Sequence, residues 1–421
     1  MADETTSTWA DLLREAKGPL VEALKFKTVL LSEVKRDKSP RRWHGKQVTI
    51  PIWLAPQQGT GGITEQGTLN TTIPVETEQA VVNSGIIGVP ISFSTQVLRQ
   101  AAGDENSWAE ILPTKMERAE DGFGRVINEM MTGSGDALLA DVSAATGASG
   151  GANQNIALIT GTNLANLYQL YVGRVVDVRV RSTGSLVAGA TMPVKIRDIN
   201  LTTGIINVVN IDGSATSFAT ATTDGIYIQG SNRNVAGVNT SDAIQGLLQA
   251  AATTGTFETI NKANVDAWRG TDASPAALTD PSIAVFDKAE RLGMQRAGKV
   301  PAFYLTDPAV VDKYTQGLTV QARWAGEEGE LASGWTGVRY RNKLLIPDFD
   351  MAPQTAIGVP LSDMNIYTLD DGPDWDDHTG SVFQRFGTRS LPLEAWLIWM
   401  LQLGFQACNS IVRVGNLSQA A

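Results

Sequence analysis

The stretch from Pro51 to Val82, PIWLAPQQGTGGITEQGTLNTTIPVETEQAVV, limits what this chain can fold into more than any other segment. In KQVTIPIWL, which overlaps its start, apolar side chains fall at every second position from Val48 to Leu54. That period is typical of a strand with one apolar face. A return strand is predicted within TTIPVETEQAVVNSG, and the Gly-, Gln- and Thr-rich tip between them offers almost nothing to bury. The segment therefore reads as a long hairpin with no core of its own.

Such a hairpin needs a cover for its apolar face, because an isolated two-stranded ribbon is at best marginally stable in water. Pro51 and Pro74 lack the N–H group that a sheet ladder uses, so each marks an open strand edge. A chain that covered the hairpin internally would not need so long a reach. We therefore expect another molecule to cover it.

Composition restricts the possible partners. The chain has 421 residues, of which 43% are hydrophobic and 19% charged, as in folded proteins of two or three structural units. Its net charge of −10 disfavours nucleic acid as a partner of the whole surface. The segment from Lys25 to Lys46 is an exception, with eight Lys or Arg residues. It reads either as a solvated linker or as a basic arm against an acidic neighbour or nucleic acid.

Few residues are suited to catalysis or metal binding. Cys408 is the one cysteine of the sequence, and His44 and His378 are its two histidines, so a nucleophilic triad or a multi-His metal site is disfavoured. The acidic stretch Asp370–Asp377 could hold calcium, but it lacks the spacing of a known loop and reads as a solvated turn. The sequence therefore predicts no catalytic residue, no cofactor and no metal site.

The ends of the chain show no membrane signal. The start, MADETTSTWADLL, is too acidic and polar for a signal peptide. The most apolar stretch, AWLIWMLQLGF, is far shorter than the ~20 residues that a membrane helix needs. We expect a soluble protein, cytosolic when made, without a membrane partner.

The clearest helix is predicted over 107–132, within NSWAEILPTKMERAEDGFGRVINEMMTGSG, where apolar residues recur at spacings of three and four. Gly133 and Gly135 are expected to end it, and its polar face, including Arg118 and Arg125, reads as solvated. Residues 167–232 have an all-β texture typical of an inserted small barrel or sandwich.

An α/β texture returns after the insertion, and the chain ends in three predicted strands. Trp396 and Trp399 lie in the most apolar of these and read as core residues. Asp348–Asp350, the residues Asp-Phe-Asp, read as a turn.

The order of these elements resembles the major capsid proteins of tailed bacteriophages, which share the Hong Kong 97-type fold. The resemblance covers nearly the whole chain outside 167–232, and no single motif is diagnostic. It is carried by a helical arm, the long hairpin, the long helix and a set of later segments in sequence order. These segments are MMTGSGDALLADV, GLLQA, FETINKANVDAWRG, GKVPAFYLTDPAVVDKY and GWTGVRYRNKLLIPDFDMAPQTAIGVPLSDMNIYTL.

The resemblance implies an α+β fold with a defined set of units. They are an N-terminal arm (1–45), an extended loop or E-loop (46–82), a peripheral domain (83–135) with the spine helix 107–132, the start of an axial domain (136–166), the all-β insertion (167–232), the axial domain (233–320) and the remaining peripheral and axial strands (321–421).

It also implies a major capsid protein that self-assembles through pentamers and hexamers into an icosahedral or prolate shell around phage double-stranded DNA. Its implied partners are other copies of itself, portal and scaffolding proteins, possible decoration proteins and packaged DNA bound non-specifically. The implied location is the virion, assembled in the host bacterial cytoplasm. The candidate inter-subunit contacts are Arg41, Arg42, Trp53, Gln58, Ile63, Glu65, Arg118 and Arg125.

Two alternatives stay open at this point. An encapsulin-like nanocompartment shell is disfavoured by the insertion and the total length. A carbohydrate-binding surface protein is less favoured, although the chain is well supplied with tryptophan.

Overall fold

The computed structural model describes residues 28–37, 43–44, 47–53, 67, 76–93, 105–149, 153–158, 169–187, 189, 193–200, 203–231, 233–235, 238–240, 243–321, 328–330, 336–370, 372–377, 384–385 and 393–419. The helices within these ranges are α1 (Val29–Glu33), α2 (Glu105–Thr132), α3 (Leu247–Ala251), α4 (Ile283–Ala297) and α5 (Pro308–Gln321), with a 3₁₀ turn at Asp266–Trp268.

The strands are β1 (Lys35–Asp37), β2 (Trp43–His44), β3 (Gln47–Trp53), β4 (Thr77–Asn83), β5 (Gly85–Phe93), β6 (Leu138–Asp141), β7 (Gln154–Ala157), β8 (Val175–Val180), β9 (Val194–Asn200), β10 (Ile205–Asn210), β11 (Asp224–Ile228), β12 (Arg233–Val235), β13 (Val238–Thr240), β14 (Thr256–Phe257), β15 (Ile260–Asn261), β16 (Thr271–Asp272), β17 (Phe303–Thr306), β18 (Glu328–Glu330), β19 (Thr336–Tyr340), β20 (Lys343–Pro347), β21 (Ala356–Val359), β22 (Met364–Thr368), β23 (Asp374–Trp375), β24 (Gln384–Arg385), β25 (Leu393–Phe405) and β26 (Val412–Val414).

The strands β3 and β4 form the base of the predicted hairpin. They pair antiparallel in a continuous register from Gln47 opposite Asn83 to Trp53 opposite Thr77. Every second side chain of β3 from Val48 to Ile52 is buried, and Trp53 is exposed, as the period of two predicts. The short strand β2 borders β3 only at Gln47 and Val48, so among the described residues the side of β3 that carries Pro51 is an open edge.

The apolar face of this base is covered by the same chain, which corrects the expectation that another molecule covers it. Val48 and Ile52 belong to the main hydrophobic core together with the buried apolar residues of β25. Val82 of β4 packs so closely on Gly404 of β25 that a Cβ at Gly404 would lie 3.1 Å from the Val82 side chain. Alternation in a sequence shows that a face is buried but not which molecule buries it. The tip of the hairpin, with Ile63, lies outside the described residues.

The strand β25 organises a six-stranded sheet, which we call the long-strand sheet. One of its edges pairs with β5 from Leu393 to Leu401, and the other pairs in turn with β24, β23 and β22. The strand β1 joins the sheet parallel to β22. Ser84 is the one residue between β4 and β5, so the hairpin continues directly into this sheet.

Trp399 on β25 is fully buried, whereas Trp396 is 39% exposed. The prediction that both tryptophans are core residues is therefore wrong for Trp396. Side chains of a strand alternate between its two faces, so residues three positions apart point to opposite sides.

The long helix α2 begins two residues before the predicted 107–132 and ends at Thr132 as predicted. The side chains of Phe123, Ile127, Met130 and Met131 are buried in the main core. Gly135 has a φ of +82°, a conformation that favours glycine, so the chain turns sharply after the helix.

The all-β module is a six-stranded antiparallel sheet in the order β6-β11-β8-β9-β10-β7, which we call the insertion sheet. Its first two strands, β6 and β7, lie before residue 167, so the sheet begins earlier in the chain than the predicted insertion. These strands are four residues long and are joined by a small-residue segment, which gives little periodic signal.

The C-terminal half contains a mixed seven-stranded sheet in the order β16-β26-β21-β17-β20-β19-β18, which we call the terminal sheet. A separate aromatic cluster fills its core. The ring of Phe286 on α4 lies 5.2 Å from Tyr304, 5.8 Å from Tyr314 and 5.4 Å from Tyr340 between centroids. Helix α4 ends at Ala297 and is capped by Gly298, the predicted stop, which has a φ of +66°.

The short helix α3 sits against the end of α2 and is closed by a buried lysine. Lys262 is 1% exposed, and its Nζ donates to the carbonyl oxygens of Gln249, Ala250 and Ala252 at 2.6, 2.8 and 2.8 Å. These carbonyls belong to the last turn of α3 and to its C-cap residue Ala252, where helix oxygens lack backbone partners. The ammonium group therefore caps the helix from inside the core.

A glycine fixes the contact between α2 and α3. The N–H of Leu248 donates to the carbonyl oxygen of Gly133 at 3.2 Å. A Cβ placed on Gly246 would lie 2.0 Å from that same oxygen, so a larger residue cannot enter without moving backbone.

We expect Gly246→Ala to lower the free energy of unfolding by about 1–3 kcal/mol or more, because the clashing atoms are main chain. Gly122→Ala is the matched control. A Cβ at Gly122 meets nothing within 4 Å inside α2, so this change should raise stability by roughly 0.5–1 kcal/mol. Urea denaturation followed by tryptophan fluorescence measures both. Equal effects of the two substitutions would contradict the close approach.

Candidate functional site

The exposed side of the hairpin base is one candidate site. Trp53 is 70% exposed at the end of β3, next to the tip. Thr77 of β4 lies opposite it, and Thr77, Glu78 and Gln79 are exposed as well. A large exposed aromatic side chain is suited to bind another protein surface, because tryptophan is enriched among the residues that contribute most of the binding energy at interfaces.

The other predicted contact residues differ in their exposure and in whether the structure describes them. Arg118 is exposed on α2. Arg125 is partly buried and is engaged within the chain, since its Nε lies 3.4 Å from Glu129 and its guanidinium lies 4.7 Å from the ring centre of Tyr171. The remaining five, Arg41, Arg42, Gln58, Ile63 and Glu65, lie outside the described residues.

The residues around Arg125 form a second candidate site. It is a buried cluster of polar side chains, which we call the junction, and sequence analysis does not predict it. Its side chains come from the last turns of α2, from the segment that leads into β8, and from the turn after β20. They are Asn128, Glu129, Thr132, Gln169, Arg174, Asp348 and Asp350.

An ion pair forms one half of this junction. Glu129 and Arg174 are 5% and 6% exposed, and they meet through two hydrogen bonds of 2.9 and 2.5 Å. Arg174 also donates to the carbonyl oxygen of Gln169. Two parallel bonds between a guanidinium and a carboxylate fix orientation as well as distance. This pair therefore holds the insertion sheet to the end of α2.

A pair of carboxylates forms the other half. The Nδ2 of Asn128 donates to Asp348 Oδ1 at 3.1 Å and to Asp350 Oδ2 at 2.5 Å. The N–H of Asp350 donates to Asp348 Oδ1 at 3.0 Å, and Thr132 Oγ1 donates to the carbonyl oxygen of Asp350 at 3.2 Å. The predicted turn at Asp348–Asp350 is confirmed, and it ties the terminal sheet to α2.

Burial and charge disturb the titration of this carboxylate pair. Desolvation, together with the negative charge of Asp348, raises the pKa of Asp350 from 3.8 to about 7. Desolvation also raises the pKa of Asp348. Two neighbouring carboxylates that share one amide donor resist being ionised together.

Cys408 and the acidic stretch 370–377 are the other candidates on which the structure bears. Cys408 is buried, and burial raises the pKa of its thiol well above 9.0. Within the described ranges, no three His, Cys, Asp or Glu side chains are placed to hold a metal ion. The acidic stretch 370–377 differs from the predicted solvated turn, because Asp374–Trp375 forms β23 and pairs with β25. Among the helices described, none has the length and apolar character to cross a membrane.

Comparison with known proteins identifies the fold. No protein-family model matches the sequence, and no curated protein does. Among solved structures, the chain is similar to the capsid asymmetric unit of cyanophage A-1(L), with a TM-score of 0.51 and 14% identity over 92% of this chain and 91% of that chain. The capsid of an empty GTA particle gives a TM-score of 0.46 at 10% identity, over 94% of this chain and 90% of that one. An encapsulin from Synechococcus elongatus gives 0.28 at 14% identity, over 36% and 54%.

The first of these similarities extends over almost the full length of both chains. The chain has the fold of the cyanophage capsid chain, and the predicted α+β capsid fold is confirmed.

The carboxylate pair of the junction should make the stability of the protein depend on pH. Asp350 binds a proton more tightly when folded than when unfolded, so the free energy of unfolding falls as pH rises from about 4 to about 7. Asp350→Asn removes the ionisation but keeps the shape. We expect this variant to be more stable than wild type at pH 8, by at most about 4 kcal/mol, and similar to it near pH 4.

Urea denaturation at the two pH values measures the difference. Asp198→Asn, on the exposed side of β9, is the control and should change stability by less than about 0.5 kcal/mol at either pH. A destabilised Asp350→Asn protein at pH 8 would show that the ionised carboxylate is needed.

Proposed function

We propose that this protein is the major capsid protein of a tailed bacteriophage, and that its copies assemble through pentamers and hexamers into an icosahedral or prolate shell around double-stranded DNA. The observation that carries the proposal is the likeness to the cyanophage capsid chain over 92% of this chain and 91% of that one. A shared fold over almost the full length of both chains favours a shared structural role.

We assign the sheets and helices of the structure to the domains that the resemblance to tailed-phage capsid proteins implies. The long-strand sheet and α2 are the peripheral domain, and the terminal sheet with α4 and α5 is the axial domain. Residues 46–82 are the extended loop and residues 1–45 the N-terminal arm. The insertion sheet is an addition between peripheral and axial domains, attached through the Glu129–Arg174 pair.

The proposed interface begins where burial within the chain ends. The base of the hairpin is already held in the core, so the proposed contacts with a neighbouring copy are the exposed Trp53 and the polar side of α2 at Arg118. The tip of the hairpin, which lies outside the described residues, is a further proposed contact. Five further residues remain proposed contacts, namely Arg41, Arg42, Gln58, Ile63 and Glu65. Arg125 is also a proposed contact, and its guanidinium is at the same time paired with Glu129 of its own chain.

The proposal includes no enzymatic role and no cofactor. Portal, scaffolding and decoration proteins are further proposed partners, and packaged DNA would be met only non-specifically. A net charge of −10 supports that last point, since an acidic shell repels the DNA phosphates over most of its surface. The proposed location is the virion, after assembly in the host bacterial cytoplasm.

Trp53 and Ile52 provide a matched pair of substitutions. Trp53→Ala should leave the unfolding free energy within about 0.5 kcal/mol of wild type, because the side chain is 70% exposed, but it should reduce the yield of assembled particles. Ile52→Ala removes a side chain that is 5% exposed, and should cost about 2–5 kcal/mol of stability. Chemical denaturation and sedimentation velocity separate the two effects. Unchanged assembly of the Trp53→Ala protein would remove this residue from the interface.

Deletion of Gln57–Asn70 tests the hairpin as an assembly element. Because β3 and β4 lie outside the deletion and are buried by their own chain, the shortened protein should remain folded and soluble while failing to form shells. Negative-stain microscopy of wild type should show hexamers, pentamers or closed shells. Normal particles from the deletion variant would refute the proposed role of the tip.

The same preparations distinguish the alternatives. A co-purifying cargo enzyme inside wild-type particles would support an encapsulin-like shell. Stable monomers that bind on a glycan array would support a carbohydrate-binding protein instead.

A further inference from the structure

Glu258 joins the base of the hairpin to the end of β25. It is the first of the two residues in the turn between β14 and β15. Its main-chain carbonyl oxygen accepts the N–H of Val81 on β4 at 3.0 Å. Its side-chain Oε1 accepts the N–H of Phe405, the last residue of β25, at 3.3 Å. One residue therefore holds two segments that are distant in the chain, one through its backbone and the other through its carboxyl group.

The turn that carries Glu258 has a costly backbone conformation. Glu258 has a φ of +49° and Thr259 a φ of +71°. A two-residue turn with both values positive favours Asn and Gly, and a β-branched residue such as threonine is rare there. Such strain persists only where the surrounding structure holds it. The bonds to Val81 and Phe405 are among the contacts that hold this turn, so its conformation is coupled to the position of the hairpin base.

The carboxyl group of Glu258 is buried and has few donors. The residue is 2% exposed, and its Oε2 has no hydrogen-bond partner among the described residues. The ammonium group of Lys262 donates to three carbonyl oxygens at the end of α3, which uses all three of its protons. A carboxylate at this position would therefore keep one donor, the N–H of Phe405. Burial without compensating bonds disfavours the charged form, so the neutral acid fits this environment better.

The surrounding elements offer little charge to offset this cost. Their titratable residues in this region are Lys262 after β15, Cys408 after β25, Asp363 before β22, Tyr367 on β22, Arg269 after the 3₁₀ turn and the exposed Glu78 on β4. Burial raises the pKa of Glu258 well above its ordinary value, and the N–H of Phe405 and the charge of Lys262 oppose this rise only in part. Burial also raises the pKa of the Cys408 thiol, which therefore stays neutral.

We propose that Glu258 is a proton-dependent latch, in which the neutral carboxyl keeps the base of the hairpin on the end of β25 and loss of the proton opens this contact. An ionised carboxylate needs water, and separation of the turn from Val81 and Phe405 admits it. The carboxyl binds its proton more tightly in the closed contact than in the open one. The latch therefore holds at low pH and weakens as the pH rises. It goes beyond the proposed shell function and does not depend on it, because every contact lies within one chain.

Hydrogen–deuterium exchange of the full-length chain at about pH 6 and about pH 9 tests the latch. Protection is taken relative to the intrinsic exchange rate at each pH, which removes the direct effect of hydroxide. A contact that releases one proton on opening weakens by up to about tenfold for each pH unit. The protection of the Val81 and Phe405 amides should therefore fall at least about tenfold in wild type between the two pH values.

Glu258→Gln keeps the shape of the side chain and cannot ionise. The fall in protection should be at least about tenfold smaller in this variant than in wild type, whatever its own stability. The pH effect of Asp350 is present in both proteins and cancels in this ratio. Glu258→Met, with an apolar side chain of similar length, should show the same reduced fall. It replaces the glutamine variant if that variant does not fold.

Glu78→Gln is the matched control, because Glu78 lies exposed on β4. It should reproduce the wild-type fall in protection within about twofold. A wild-type fall below about tenfold would show that opening of the contact releases no proton. An equal fall in wild type and in the Glu258 variants would show that another group opens it. Either result overturns the proposal.

Discussion

Burial of β25 is the constraint on which much of the structure depends. This strand hydrogen-bonds to β5 on one edge and to β22, β23 and β24 on the other, and β4 of the hairpin packs on its end. Its partners come from both ends of the chain, so the long-strand sheet forms only when these distant segments meet. The hairpin base is stabilised by its packing on this sheet. A segment that has no core of its own is thereby buried in the main hydrophobic core.

Charges inside the protein serve as connections between units. Lys262 closes α3 by donating to three carbonyl oxygens, and the Glu129–Arg174 pair holds the insertion sheet to α2. A buried ion pair contributes little net stability compared with apolar packing, but breaking one side of it is costly because the other charge is left unpaired. Such contacts therefore specify how the sheets are arranged more than they strengthen the fold.

Local features of the fold could be predicted from the sequence, and long-range ones could not. The alternation from Val48 to Ile52 and the end of α2 at Thr132 follow from periodicity and glycine positions. The cover of the hairpin depends on β25, more than 300 residues further along the chain, and no pattern in the hairpin names it. The junction joins Asn128 to Asp348 across 220 residues, and its only trace in the sequence is a pair of aspartates in an otherwise ordinary turn.

The single residue Ser84 between β4 and β5 has a mechanical consequence. The two strands meet with almost no slack, and the N–H of Val81 is also bonded to the carbonyl oxygen of Glu258 at 3.0 Å. A displacement of β4 is therefore passed on to β5, and through the β5–β25 ladder to β25, because one residue separates β4 from β5. Strain on the base of the hairpin would therefore appear as shear between β5 and β25, the longest strand among the described residues.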